Sequence, residues 1–198
     1  MKKICLLLIN GFEAAEASVF TDVLGWNLFE GDGSTEVIAV GTKDTLKCTW
    51  NFTVLPEKLM SEVSVDDFDA LAIPGGFEEA GFYEDAYREE VAQFIREFHD
   101  RGKTIATICV ASLVLGHSGI LKGKKATTYH LSEGRRQKQL ADFGADLVPD
   151  QPIVDEGQII TSYSPATAFD VAFTLLEKLT SVENTNNVRR LMGFDEKE

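Results

Sequence analysis

A cysteine placed between a strand and a helix is the residue of this chain best suited to chemistry. Residues 104–108 form a short β-branched run typical of a buried strand, and small and apolar residues follow Cys109 at helical spacing. A thiol on such a turn faces the positive end of the helix dipole, which lowers its pKa. The pattern predicts a thiolate nucleophile at Cys109, and the alternative is a structural buried cysteine. Cys5 and Cys48 fit that alternative.

Two other segments carry groups that a thiolate reaction uses. Glu16 is either a desolvated carboxyl that hydrogen-bonds the sulfur and moves a proton, or an acid that stabilises a helix N-terminus. The pair Gly75 and Gly76 either exposes amides to a substrate oxygen, together with the amide of Val110, or forms a turn that needs positive φ. His130 is the histidine that follows a predicted strand at the same end of the sheet; a role in a polar loop is the alternative.

Strands and helices alternate along the chain. The predicted strands cover residues 3–9, 36–40, 70–73, 104–108 and 125–129, with extended pieces in 46–55 and a hairpin in 153–161. The predicted helices cover residues 14–29, 86–101, 110–117, 135–143, 164–179 and 188–192. This alternation indicates one α/β domain over residues 1–198, with a mostly parallel sheet covered by helices on both faces.

Ligand sites of such sheets lie beyond the carboxyl ends of the strands. Three of the segments that follow predicted strands are residues 10–16, residues 74–77 and Cys109. We therefore expect these three segments to converge in one site. The loops at residues 77–83 and 131–135 are expected to line it and to set its specificity.

The composition excludes several classes of partner. The net charge is −13 over 198 residues, which argues against nucleic acid and against anionic membrane surfaces. The apolar run at residues 4–9 is too short for a signal-peptide core or a membrane span. Three cysteines without metal-type spacing indicate reduced thiols in a cytoplasmic protein and no metal site.

An ordered set of motifs over nearly the whole chain resembles the ThiJ/PfpI superfamily, and specifically its DJ-one branch. No single motif is decisive, but the order of the set is specific. The motifs are residues 11–16, Lys43-Asp44 before Cys48, residues 72–77, the elbow at residues 106–112, and residues 123–128, 160–167 and 188–194.

The resemblance implies a flavodoxin-like, three-layer α/β sandwich that forms a homodimer and carries its cysteine on a nucleophile elbow. It implies a reactive Cys109, paired with Glu16, that is readily oxidised to sulfinic acid. It also implies a site that works without a cofactor. Trp26, Trp50 and Phe52 could line the dimer interface or fill the core.

The chain departs from the family pattern at two positions. Protease-like members have histidine directly after the cysteine, where this chain has Val110, so peptidase activity is not expected. DJ-one members commonly have histidine directly after a Thr-Thr pair, where this chain has Tyr129 and then His130. A displacement by one residue in extended backbone turns a side chain to the opposite face, so His130 should point away from Cys109 unless the strand has ended. Tyr129 can itself donate a hydrogen bond in the pocket.

Two main hypotheses about function follow. In the first, the chain is a glyoxalase or deglycase: Cys109 attacks the aldehyde of a small electrophilic substrate, Glu16 moves the proton, and the amides of Gly76 and Val110 bind the oxyanion. In the second, Cys109 is a peroxide sensor that is oxidised to sulfinic acid and alters partner binding, as in redox-regulated chaperones. Hydration of a small electrophile such as an isocyanide is a third, less favoured hypothesis.

Overall fold

A computed structural model describes residues 1–194 of the chain, and its centre is a seven-stranded sheet. The strands are β1 (Lys2–Leu8), β2 (Thr35–Gly41), β3 (Leu46–Lys47), β4 (Thr53–Val54), β5 (Lys58–Leu59), β6 (Ala70–Ile73), β7 (Thr104–Thr107), β8 (Lys125–Ala126), β9 (Asp146–Leu147), β10 (Ile153–Glu156) and β11 (Ile159–Ser162). The sheet has the order β10-β11-β7-β6-β1-β2-β5, and only β10 runs antiparallel to its neighbour. The strands β3 and β4 form a separate hairpin, and β8 pairs with β9.

Helices cover the sheet in two groups. They are α1 (Ala14–Glu30), α2 (Phe82–Ala86), α3 (Glu89–Asp100), α4 (Ala111–Ser118), α5 (Arg135–Asp142), α6 (Ala168–Leu179) and α7 (Val182–Leu191). Helix α1 packs with α6 and α7, whereas α4 packs with α3 and α5. This arrangement confirms the predicted flavodoxin-like sandwich. No helix within residues 1–194 combines the length and the hydropathy needed to cross a bilayer.

The central strand β1 explains why the sheet is buried on both faces. Its residues Ile4 to Leu8 are at most 3% exposed, so both sides of the pleat face helices. A continuous apolar run is what a parallel strand in that position requires. Each fully buried aliphatic side chain stabilises the fold by about 1.5–3 kcal/mol. Cys5, in the middle of this strand, is fully buried and therefore structural, as predicted.

The carboxyl ends of β1, β6 and β7 lie side by side and bring three loops together. Phe12 forms an isolated antiparallel bridge with Gly76, and the Glu13 amide donates to the Gly75 carbonyl at 2.7 Å. The Ile108 amide donates to the Ile73 carbonyl at 3.3 Å. The predicted convergence of the three segments at one edge of the sheet is therefore confirmed.

A buried carboxylate ties neighbouring loops to the same edge. Asp85, in the short helix α2, is 3% exposed and accepts hydrogen bonds from the Asn10 amide at 3.2 Å and from the Thr42 hydroxyl. Lys43 and Arg88 form ion pairs with it at 3.3 and 3.2 Å. These hydrogen bonds and charges outweigh the effect of burial and lower the pKa of Asp85, so the group stays ionised. The sequence analysis did not predict α2 or this ion cluster.

Two predicted elements have different bounds in the structure. The strand predicted at residues 125–129 ends at Ala126. The next backbone amide, that of Thr127, donates to a side chain, Thr161 Oγ1 at 3.0 Å, and not to a strand backbone. The last helix was predicted at residues 188–192, but α7 begins much earlier. Its first turn is capped by Ser181, whose Oγ accepts from the Asn184 amide at 3.1 Å.

Candidate active site

The elbow between β7 and α4 holds Cys109 in a strained conformation. Its φ is 57°, in the left-handed region that residues other than glycine rarely adopt. Such strain costs about 1–3 kcal/mol and persists only where the surroundings impose it. Here the Thr128 hydroxyl donates to the Cys109 carbonyl at 3.0 Å, and the Thr107 and Ser112 hydroxyls pair at 3.2 Å across the turn. The sulfur is thereby fixed at the base of a cavity, with the residue 7% exposed.

Glu16 presents a fully buried carboxyl to this elbow from the first turn of α1. Its Oε2 accepts a hydrogen bond of 2.6 Å from the Gly75 amide. Its Oε1 is also buried and, among residues 1–194, has no well-aligned hydrogen-bond partner. Burial raises the pKa of Glu16 to about 8, and the negative charge of Glu13 adds to the increase. The hydrogen bond from Gly75 and the interaction with the Cys109 thiol act in the opposite direction.

The pKa of the Cys109 thiol differs from the sequence prediction. Burial raises it well above its ordinary value, and the nearby Glu16 carboxylate raises it further. The hydrogen bond from the Val110 amide, at the start of α4, lowers it as predicted but does not compensate. Burial and the charge of Glu16 therefore act against the thiolate that the sequence predicts, whereas the hydrogen bond from the Val110 amide acts in its favour.

Cys109 and Glu16 consequently titrate as one unit. Because their charges interact strongly, the first proton leaves the pair rather than either residue alone. Because burial raises the pKa of both groups, the structure favours the protonated forms of the pair. Loss of one proton leaves either a thiol beside a carboxylate or a thiolate beside a carboxylic acid. Both forms suit a nucleophile that exchanges a proton with its neighbour.

The two glycines are required by close packing and not by positive φ, since neither lies in the left-handed region. A Cβ on Gly76 would lie 2.3 Å from the Gly11 carbonyl oxygen and 2.4 Å from Cδ2 of Phe82. A Cβ on Gly75 would lie 2.8 Å from Oε2 of Glu16. The alternative that these glycines form a turn with positive φ is therefore wrong.

The oxyanion prediction needs a correction at Gly75. Its amide already donates to Glu16, so it positions the carboxyl and is not available to a substrate oxygen. Gly76 and Val110 both line the cavity beside Cys109. The Val110 amide already points at the sulfur. Both residues therefore lie at the site, but the Val110 amide can reach a substrate oxygen only when it no longer bonds the sulfur.

A cavity of about 830 Å³ opens above the sulfur. Both Tyr129 and His130 line it. Because β8 ends at Ala126, strict alternation does not continue to these residues, which is the case in which the sequence analysis allowed His130 to reach the site. The His130 ring packs edge-on against Tyr163 at a centroid distance of 4.1 Å. Its Nδ1 is buried and has no hydrogen-bond partner in the described part of the chain.

Several lining residues were not predicted. They are Arg136, Tyr163, Ser164, Pro165 and Ala166. The last four follow β11, which runs parallel to β7, so the rule for carboxyl ends of strands could have found them. The predicted loops do contribute, through residues 77–79 and through Leu131, Ser132 and Arg135. Within residues 1–194, His, Cys, Asp and Glu side chains form no group of three or more suited to holding a metal ion.

Comparison with known proteins identifies the class to which this site belongs. Residues 2–178 match the DJ-1/PfpI family, and the chain belongs to that family. It is similar to Protein dj-1beta of Drosophila melanogaster, with 28% identity over 189 residues that cover 96% of this chain and 95% of the relative. The crystal structure of the fly DJ-1beta matches with a TM-score of 0.85 at 28% identity and covers 98% of both chains.

Two further relatives carry names that describe an activity. Deglycase PfpI of Pyrococcus furiosus is 28% identical over 84% of this chain and 93% of its own length. Glutathione-independent glyoxalase DJR-1.2 of Caenorhabditis elegans is 26% identical over 94% of each chain.

Substitution of Gly76 tests whether close packing builds the site. Gly76→Ala should lower the free energy of unfolding by about 2–4 kcal/mol, because the added methyl group overlaps the Gly11 carbonyl and the Phe82 ring. Gly25→Ala is the matched control: it lies within α1 with no atom within 4 Å of the new Cβ, and should stabilise by about 0.5–1 kcal/mol. Urea denaturation of both variants gives the comparison. Equal stability of the Gly76→Ala variant and the native protein would contradict the packing argument.

Proposed function

We propose that this protein is a cofactor-independent enzyme that acts on small reactive aldehydes or on their protein adducts. The observation that carries the proposal is the buried Cys109–Glu16 pair at the base of the cavity. A buried carboxyl with a raised pKa beside a thiol is an arrangement suited to nucleophilic attack with proton transfer. The names of the deglycase and the glyoxalase relatives support the same class of chemistry.

The first step is attack on the aldehyde. With a 2-oxoaldehyde as substrate, the Cys109 sulfur bonds to the aldehyde carbon, and the carbonyl electron pair moves to oxygen. The reacting form of the pair is the one that has lost one proton, with the thiol beside the Glu16 carboxylate. The thiol proton passes by way of Glu16 to that oxygen, which gives a neutral hemithioacetal and leaves Glu16 as a carboxylate. The amides of Gly76 and Val110 stabilise the negative charge that develops on the oxygen during attack.

The second step moves a proton between the two substrate carbons. The Glu16 carboxylate removes the proton from the former aldehyde carbon, forming an enediolate, and returns it to the neighbouring carbon, while the hydroxyl proton of the first carbon passes to the oxygen of the second. The product is a thioester of Cys109 with a 2-hydroxy acid. Water then cleaves the thioester and restores the thiol, so the net reaction is addition of one water molecule and needs no oxidant.

The Glu16 carboxyl beside the thiol and the cavity above it favour an enzyme over a peroxide sensor, because a sensor needs neither a proton carrier nor a substrate pocket. All three cysteines are unpaired, which supports the proposal that the protein works in a reducing cytoplasm.

Turnover of methylglyoxal to lactate tests the proposal directly. Cys109→Ser should lower kcat/KM by about 10³-fold or more, and Glu16→Gln by about 10²–10⁴-fold, because one loses the nucleophile and the other the proton carrier. Cys48→Ser is the control and should retain turnover, since Cys48 is a buried thiol outside the cavity lining. Equal lactate formation by all four proteins would refute the mechanism. Selective sulfinic acid formation at Cys109 without turnover would favour the sensor.

We also propose that the protein is a homodimer. Large aromatic side chains remain exposed, with Phe29 at 85%, Phe52 at 69%, Trp50 at 64% and Trp26 at 41%. These residues do not fill the core, and burial of such rings against a second copy would be favourable. Sedimentation at micromolar concentration should give twice the mass of the 21.8 kDa chain, and a monomer mass would contradict the proposal.

A further inference from the structure

Two arginines on the wall of the cavity share a single carboxylate oxygen. Arg135 and Arg136 each donate from Nη2 to Oε2 of Glu78, and both distances are 2.8 Å. All three side chains line the cavity that contains Cys109. Hydrogen bonds and charge from Arg136, with a smaller contribution from Arg135, hold the pKa of Glu78 below its usual range. An ionised carboxylate group therefore already sits between two guanidinium groups at the entrance of the site.

The second arginine is held rigidly for this contact. The Arg136 side chain is 11% exposed, lies over the Tyr83 ring at 4.7 Å, and donates from Nη1 to Gln139 at 2.9 Å. Arg135 is more open, with 58% of its side chain exposed. A preorganised guanidinium such as that of Arg136 is suited to binding a carboxylate, because it loses little side-chain freedom on binding.

The Glu78 side chain is the weakly held partner in this cluster. It is 53% exposed and lies in the short turn Glu78–Ala80, directly after the residues that border Cys109. An exposed ion pair is worth little in water, so a ligand carboxylate can replace Glu78 at small cost. The other acids of the lining are Glu13 and Glu79, and neither is bonded to these arginines.

The size of the cavity indicates that a substrate extends toward these arginines. Its volume of about 830 Å³ lies in the range of pockets that hold ligands much larger than a three-carbon aldehyde. We propose that Arg135 and Arg136 bind a carboxylate of the substrate while its aldehyde reacts at Cys109. The inference rests on the proposed function and names its substrate class: aldehydes that carry a carboxylate some carbons from the reacting carbonyl. Glu78 occupies this subsite until the substrate enters.

Binding of 4-oxopentanoate, which has the carboxylate but no aldehyde, tests the subsite without turnover. Calorimetry should show that Arg135→Gln and Arg136→Gln weaken binding about tenfold or more, as expected for loss of a charged hydrogen bond. Glu78→Gln should tighten it, because the internal competitor loses its charge. Arg101→Gln is the control, since Arg101 also pairs with carboxylates, those of Asp66 at 2.6 Å and Glu97 at 3.6 Å, but lies outside the cavity lining. If the Arg136→Gln variant does not fold because the Arg136 side chain is packed, the Arg135→Gln variant still tests the subsite.

The ratio of kcat/KM for 4,5-dioxopentanoate to that for the uncharged 2-oxopentanal tests the same subsite during catalysis. This ratio should fall at least about tenfold in Arg135→Gln, rise in Glu78→Gln and stay constant in Arg101→Gln. An equal ratio in all variants that turn over both aldehydes would overturn the subsite and leave the proposed function standing. Arginine-dependent binding of 4-oxopentanoate, with no turnover of either aldehyde by the native protein, would support the subsite and overturn the proposed function.

Discussion

Burial of a carboxyl group against a thiol is the constraint on which the rest of this site depends. In water, neither Glu16 nor Cys109 would share a proton with the other at neutral pH. Removed from water, each disfavours ionisation of its neighbour, and the pKa of Glu16 rises to about 8. The pair therefore stores a proton next to the nucleophile. When an electrophilic carbonyl approaches, negative charge moves from the pair to the carbonyl oxygen. The amides of Gly76 and Val110 stabilise the charge there.

For this pair to form, the backbone segments that follow β1 and β6 must pack unusually close together. The Gly75 amide reaches Glu16 at 2.6 Å, and Gly76 packs against the Gly11 carbonyl, so side chains at either position would separate β1 from β6 at their ends. Cys109 accepts a left-handed φ because the Thr128 hydroxyl holds its carbonyl. The contacts that impose the left-handed φ on Cys109 also hold together the loops at this edge of the sheet. The stability of the fold and the function of the site therefore depend on the same contacts.

The sequence predicts the sheet well because its strands are continuous apolar runs between clear turn signals, as in residues 2–8 and 70–73. Cys109, Glu16 and Gly76 were found for the same reason, since all three follow or border such strands. The desolvation that raises the pKa of Cys109 depends on packing from distant segments, which no local pattern reports. The orientation of His130 stayed open in the sequence because the end of β8 at Ala126 depends on side-chain hydrogen bonds that the sequence does not show.

The state of the Glu16 proton is the most direct test of this account. Infrared difference spectra between the native protein and a Glu16→Gln variant isolate the band of the protonated Glu16 carboxyl. The band should persist at pH 7 and disappear with a midpoint near 8, where the carboxyl loses its proton. A midpoint near 4.5, the value of an ordinary glutamate, would show a permanently charged carboxylate and contradict the coupled pair.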